Sequence, residues 1–122
     1  MNSLERAAEL KQRTKRFAIR IVKLFQSLQR SPEAQILGKQ VLRSGTSIAA
    51  NYRAVCRARS RAEFISKMSV VLEEADETVF WIELLIETEI IRQERAQELL
   101  NEANQLVAIF GASLRTSKSE PR

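Results

Sequence analysis

Histidine is absent from the 122 residues. Its absence removes the side chain that most often serves as general base and the commonest metal ligand. Every Ser-His and Cys-His arrangement goes with it. Cys56 is the single cysteine, so no internal disulfide can form, and a cytoplasmic setting is expected. Three glycines and two prolines are few, which favours long unbroken helices over many strands and turns. No run approaches the roughly 18 apolar residues that span a bilayer. The opening segment MNSLERAAELKQR carries charges at Glu5, Arg6, Glu9, Lys11 and Arg13, and so lacks the apolar run of a signal peptide. The expectation is a protein that is not an enzyme, has no metal or cofactor, and does not enter a membrane.

What is present suits one soluble domain: 44% apolar and 29% charged residues in a chain long enough for a single core. The net charge of +5 conceals an asymmetry. Residues 1–61 hold 14 Lys and Arg against Glu5, Glu9 and Glu33, a net of +11, whereas residues 62–122 hold 6 against 12 carboxylates, a net of −6. Such halves point either to nucleic-acid contact by the first or to pairing of one half with the other.

Apolar spacing predicts four helices, at about 4–29, 33–58, 61–87 and 94–115. In the first, Phe17, Ile21, Leu24 and Leu28 share a face, with Arg6, Arg13, Arg16, Arg20 and Lys23 opposite. Ser31-Pro32-Glu33 is a start signal for the second, whose stripe is Leu37, Val41, Ile48, Tyr52 and Val55. Gly45 lies within that helix. It reads as a point of close helix approach, with Ser44, Thr46 and Ser47 bonding back to carbonyls; a ligand site on Ser47 and Asn51 is the alternative. An arginine-rich turn at residues 57–61 follows, and Ser60 with Glu63 makes a capping box. In the third helix Phe64, Met68, Val71, Ala75, Thr78, Ile82 and Leu85 form a heptad seam, beside a second stripe of Ile65, Leu72, Val79 and Ile86. Its outer side is acidic, and Trp81 flanks the seam as a packing residue. Leu99, Ala103, Leu106, Phe110 and Leu114 give the fourth seam. Residues 1–116 therefore form an all-α, up-down-up-down antiparallel four-helix bundle, and the polar tail 117–122 is expected to be disordered.

The segment Arg43-Ser44, Ser47-Ile48, Asn51, then Arg57 to Arg59, then Ser60, Glu63 and Phe64 resembles a family of small four-helix-bundle proteins. That family includes proteins encoded in intervening sequences of bacterial 23S rRNA genes. It also includes the accessory variability proteins of diversity-generating retroelements. The resemblance covers roughly residues 14–115 and implies a homopentameric ring and, for some members, association with nucleic acid or ribonucleoprotein. Ala54-Val55 replaces the Glu-Gly of many members, so any role of that pair is not carried over.

The first functional expectation is an accessory protein binding RNA or DNA backbone through Arg13, Arg16, Arg20, Lys23, Arg53, Arg57, Arg59 and Arg61. In an up-down bundle the end of helix 2 lies near the start of helix 1, so Arg13 and Arg57 are expected to belong to one patch, which a ring would repeat. The second is a scaffold whose basic and acidic faces pair between subunits.

Overall fold

The computed structural model describes residues 1–120. Four helices follow one another: α1 (Ser3–Ser27), α2 (Pro32–Cys56), α3 (Arg61–Glu87) and α4 (Gln93–Ser119). Each helix is about 37–40 Å long at 1.5 Å per residue. Connections of four or five residues can only fold a helix back against its predecessor. Contacts along the helices confirm the alternation: Gly45 of α2 meets Ile21 of α1, Ser44 meets Thr78 of α3, and Arg61 of α3 meets Ser117 of α4. The result is the expected antiparallel four-helix bundle.

Local chemistry sets the starts. Asn2 Oδ1 accepts from the Glu5 N–H at 2.8 Å while Asn2 Nδ2 donates to Glu5 Oε1 at 3.0 Å, so α1 begins at Ser3. Ser31 caps α2 with Pro32 in its first turn. Ser60 Oγ accepts from the Glu63 N–H at 3.1 Å. The reciprocal half of that capping box is not made; the Glu63 carboxylate lies 3.6 Å from Arg59 Nε instead. Just past the end of α3, Glu89 sits in the left-handed region (φ 61), with the Ile90 N–H donating to the Leu85 carbonyl.

Two expectations need correction. α4 continues to Ser119 rather than stopping near residue 115, because the Arg61 guanidinium donates from Nε to the Ser117 carbonyl at 2.8 Å and satisfies its last turn. Of the expected tail, Pro121 and Arg122 lie outside the described residues. Phe64, expected at the head of the buried seam, is only half-buried, whereas Met68, Val71, Ala75, Thr78, Ile82 and Leu85 are buried as expected. The reason is an unequal bundle. α2 packs closely on α1 and α3, and α3 on α4, but α1 and α4 meet only narrowly. Phe64 lies at the end where that last seam opens.

Candidate nucleic-acid interface

The contact between Ile21 and Gly45 sets the level of α1 against α2. Arg13 is thereby level with Arg53, one turn before Arg57, but Arg13 and these two arginines point to different flanks. Each helical residue turns by about 100°, so Arg13, Arg16, Arg20 and Lys23 share the α1 face that looks towards α4. Arg53 and Arg57 lie on the outer face of α2. The eight residues thus lie in two groups that face different flanks: a stripe on the α1–α4 seam and a knob around the α2–α3 turn.

Within the stripe, Arg13 is engaged. Its Nε lies 2.7 Å from Glu102 Oε2, and its Nη2 lies 2.8 Å from both Glu102 Oε1 and Gln105 Oε1. The Glu102 bonds hold its proton more tightly than usual, against the opposing effect of burial. Arg16, Arg20 and Lys23 are exposed and, among the described residues, have no ion-pair partner. Within the knob, Arg61 is engaged with Ser117 and Arg59 pairs loosely with Glu63, while Arg53 and Arg57 are exposed and unpaired. Lys11 and Lys15, not among the expected site residues, are exposed on the α1 flank nearest Arg53. Their spacing of four residues was the signal for them.

The fold turns an asymmetry along the chain into one along the bundle. The end built from residues 1–16, 50–68 and 112–120 carries 12 Lys and Arg against four carboxylates; the remaining described residues carry 7 against 11.

The motif of α2 serves packing. A Cβ on Gly45 would lie 2.8 Å from Ile21 Cγ1. The buried Ser44 and Thr78 hydroxyls lie 2.9 Å apart, with Thr78 also donating to the Glu74 carbonyl. Asn51 Nδ2 donates to the Ser47 carbonyl at 2.9 Å, so this pair, the alternative ligand site, is bonded within its own helix. Among the described residues, no cluster of carboxylates and cysteine is placed to hold a metal, and no helix is long and apolar enough to cross a membrane.

Hollows mark the open seam. At the basic end, one of about 810 Å³ is walled by Leu10, Tyr52, Phe64, Met68 and Ile109. A neighbour of about 450 Å³ adds Val55 and Cys56. Burial, and then the adjacent Cys56 thiol, push the Tyr52 hydroxyl above its ordinary titration range, so it stays protonated. Further along, a hollow of about 220 Å³ is lined by Arg20, Lys23, Ser27 and Arg95 over Leu24, Ile91 and Leu99. On the opposite side of the molecule, Phe80 is 52% exposed against Trp81, and Ile36 is 62% exposed. The Trp81 Nε1 is buried without a partner among the described residues.

Among curated proteins, none matches this chain. The fold is similar to a crystal structure of a protein of unknown function from the S23 ribosomal protein family of Bacteroides thetaiotaomicron. The two chains are 40% identical, with a TM-score of 0.79, over 85% of this chain and 96% of that one. Residues 6–112 match the 23S rRNA-intervening sequence protein family, and the chain belongs to that family.

Proposed function

We propose that this protein is a non-enzymatic, self-assembling accessory protein that binds the backbone of RNA or DNA through its two basic groups, the α1 stripe and the α2–α3 knob. The observation that carries the reading is a set of five exposed cations, Arg16, Arg20, Lys23, Arg53 and Arg57, left without ion pairs among the described residues. Phosphate is the partner such cations fit best, and contacts of this type carry little sequence information. Arg13 and Arg61 contribute by holding α1 and α3 to α4. Assembly is supported by the exposed Phe80 and Ile36 and by the unpartnered Trp81 N–H, which a neighbouring subunit would cover. The family resemblance points to five copies, which would repeat the basic surface around a ring. A cytoplasmic setting, in which Cys56 stays a thiol, fits this reading.

A second reading keeps the assembly without nucleic acid. The sorting of charge to opposite ends of the bundle favours it, since a basic end of one subunit could meet an acidic end of the next. Labelled RNA and DNA titrated at two salt concentrations separate the two. Binding should weaken with salt at a log–log slope of about −0.7 to −0.9 per phosphate neutralised. A variant with Arg53, Arg57 and Arg59 replaced by Gln, and Arg61 kept to hold α4, should bind every sequence more weakly with a flatter slope. A parent that binds neither at low salt establishes the scaffold. Light scattering should give five times the 13.9 kDa subunit mass.

A further inference from the structure

We propose that the hollow between α1 and α4 where Arg20, Lys23 and Arg95 converge is a discrete seat for a phosphate group; this deepens the nucleic-acid reading and rests on it for the source of that phosphate. The hollow encloses about 220 Å³. Its floor is apolar, formed by the buried Leu24, Ile91 and Leu99, and its rim holds three cations. Arg20 and Lys23 stand three residues apart on α1 and so project to the same side. Arg95 comes from the first turn of α4, which the buried Ile91 pins against the end of α1.

Like charges gathered over an apolar floor repel one another more strongly than they would in open water. Glu94 and Glu98 flank Arg95 in sequence and Glu89 lines the adjoining hollow beside Arg95, but none of the three lines this hollow and none makes an ion pair with these cations among the described residues. The contrast with Arg13, on the same seam, is direct. Where the fold requires that arginine to be neutralised, α4 supplies Glu102. At the hollow it supplies a third cation instead. The Ser27 hydroxyl donates to the Leu24 carbonyl at 2.7 Å, which leaves its oxygen as a weak acceptor and the guanidinium and ammonium groups as the donors that define the seat. A planar guanidinium from each helix can grip two oxygens of one phosphate while the lysine adds a point charge. Three cations match a phosphate or pyrophosphate better than a carboxylate, which brings one negative charge.

The phosphate could belong to a nucleic-acid backbone or to a free phosphate compound, and two probes distinguish these sources. Inorganic pyrophosphate is titrated by calorimetry at low salt, and labelled single-stranded RNA by fluorescence anisotropy. The full-length parent should bind pyrophosphate saturably. Arg95→Gln should weaken that binding about tenfold, the effect of one charge-assisted contact. The triple variant R20Q/K23Q/R95Q should abolish it, and Lys39→Gln, at an exposed α2 cation outside every proposed contact, should leave it unchanged. All four side chains are exposed, so melting curves should match the parent. Loss of pyrophosphate and RNA binding together in the triple variant assigns the seat to the nucleic-acid backbone. Loss of pyrophosphate alone, with RNA affinity and salt slope unchanged, keeps the seat and assigns it to a free phosphate compound. A parent that binds pyrophosphate but no RNA keeps the seat and removes the nucleic-acid reading. Pyrophosphate binding that survives in the triple variant, or is absent from the parent, overturns the proposal.

Discussion

The α2–α3 seam and the α1–α4 seam of this bundle are built from the same helical repeat and do different work. The first is closed. Ile48, Ile82 and Leu85 are fully buried along it, the Ser44 and Thr78 hydroxyls meet at its centre, and Arg43 bridges its edge to Glu74 and Glu77. Among the described residues, the second is held by the polar clamp of Arg13 with Glu102 and Gln105, and is otherwise a line of hollows edged by cations without ion pairs. Three close interfaces suffice to fix four helices. The fourth is then free to keep charged and concave surface that a packed core would exclude.

Substitutions that break this contrast should differ in size by seam. The largest effect belongs to the closed side: Ile82→Ala should cost about 2–5 kcal/mol, read as a lower denaturation midpoint, because the cavity it leaves is walled on all sides. Gly45→Ala should come next, at about 1–3 kcal/mol, since the new methyl meets the buried Ile21 at 2.8 Å. Gly38→Ala sharpens the comparison. Its methyl would meet the half-buried ends of Leu28 and Phe25, which can swing aside, so the roughly 1 kcal/mol helix-propensity gain should offset most of the clash. A G38A variant that loses as much as G45A would show the α1–α2 packing to be uniform along its length.

On the open seam, Arg13→Ala should cost about 1 kcal/mol, the scale of a partly buried, charge-assisted contact. Thermal melts in low and high salt check it; a loss above that of I82A would mean that the clamp, not the closed side, holds the bundle. Glu89→Gly should stabilise by about 1 kcal/mol, because glycine adopts the left-handed conformation there without strain. The smallest effect is one of pH. Burial, then the neighbouring Glu77, hold Glu74 above the ordinary carboxylate range, with Arg43 opposing. Its folded-state pKa is raised, so its favourable contribution is full below the unfolded carboxylate range and is lost as pH rises through the raised value. The stability of Glu74→Gln relative to the parent should therefore improve between about pH 4 and pH 7. A constant difference would show that Glu74 is not desolvated.

The closed side was legible in the sequence because its signals are local. Heptad spacing from Met68 to Leu85 placed the α3 seam, Ser31-Pro32 and Ser60 placed two helix starts, and Gly45 marked a close approach. The open seam was not, because it depends on how α1 and α4 meet across some 75–90 residues of chain. Nothing within α1 says that Arg13 will find Glu102 while Arg20 will share a hollow with Arg95. The half-burial of Phe64 and the extension of α4 past residue 115 have the same origin, for both depend on the end of the bundle where Arg61 reaches Ser117. Helical phase showed which cations share a face; it could not show which of them the fold neutralises.

The division of labour between the seams is tested most directly by measuring stability and RNA affinity on the same two variants. In one, Arg16, Arg20 and Lys23 of the open seam become Gln; in the other, Arg43 of the closed seam does. The account predicts that the first loses most of its RNA affinity and salt slope while its melting temperature stays with the parent, and that the second keeps its affinity and melts slightly lower. Equal affinity in both variants, or a melting temperature that falls further in the first than in the second, would contradict it.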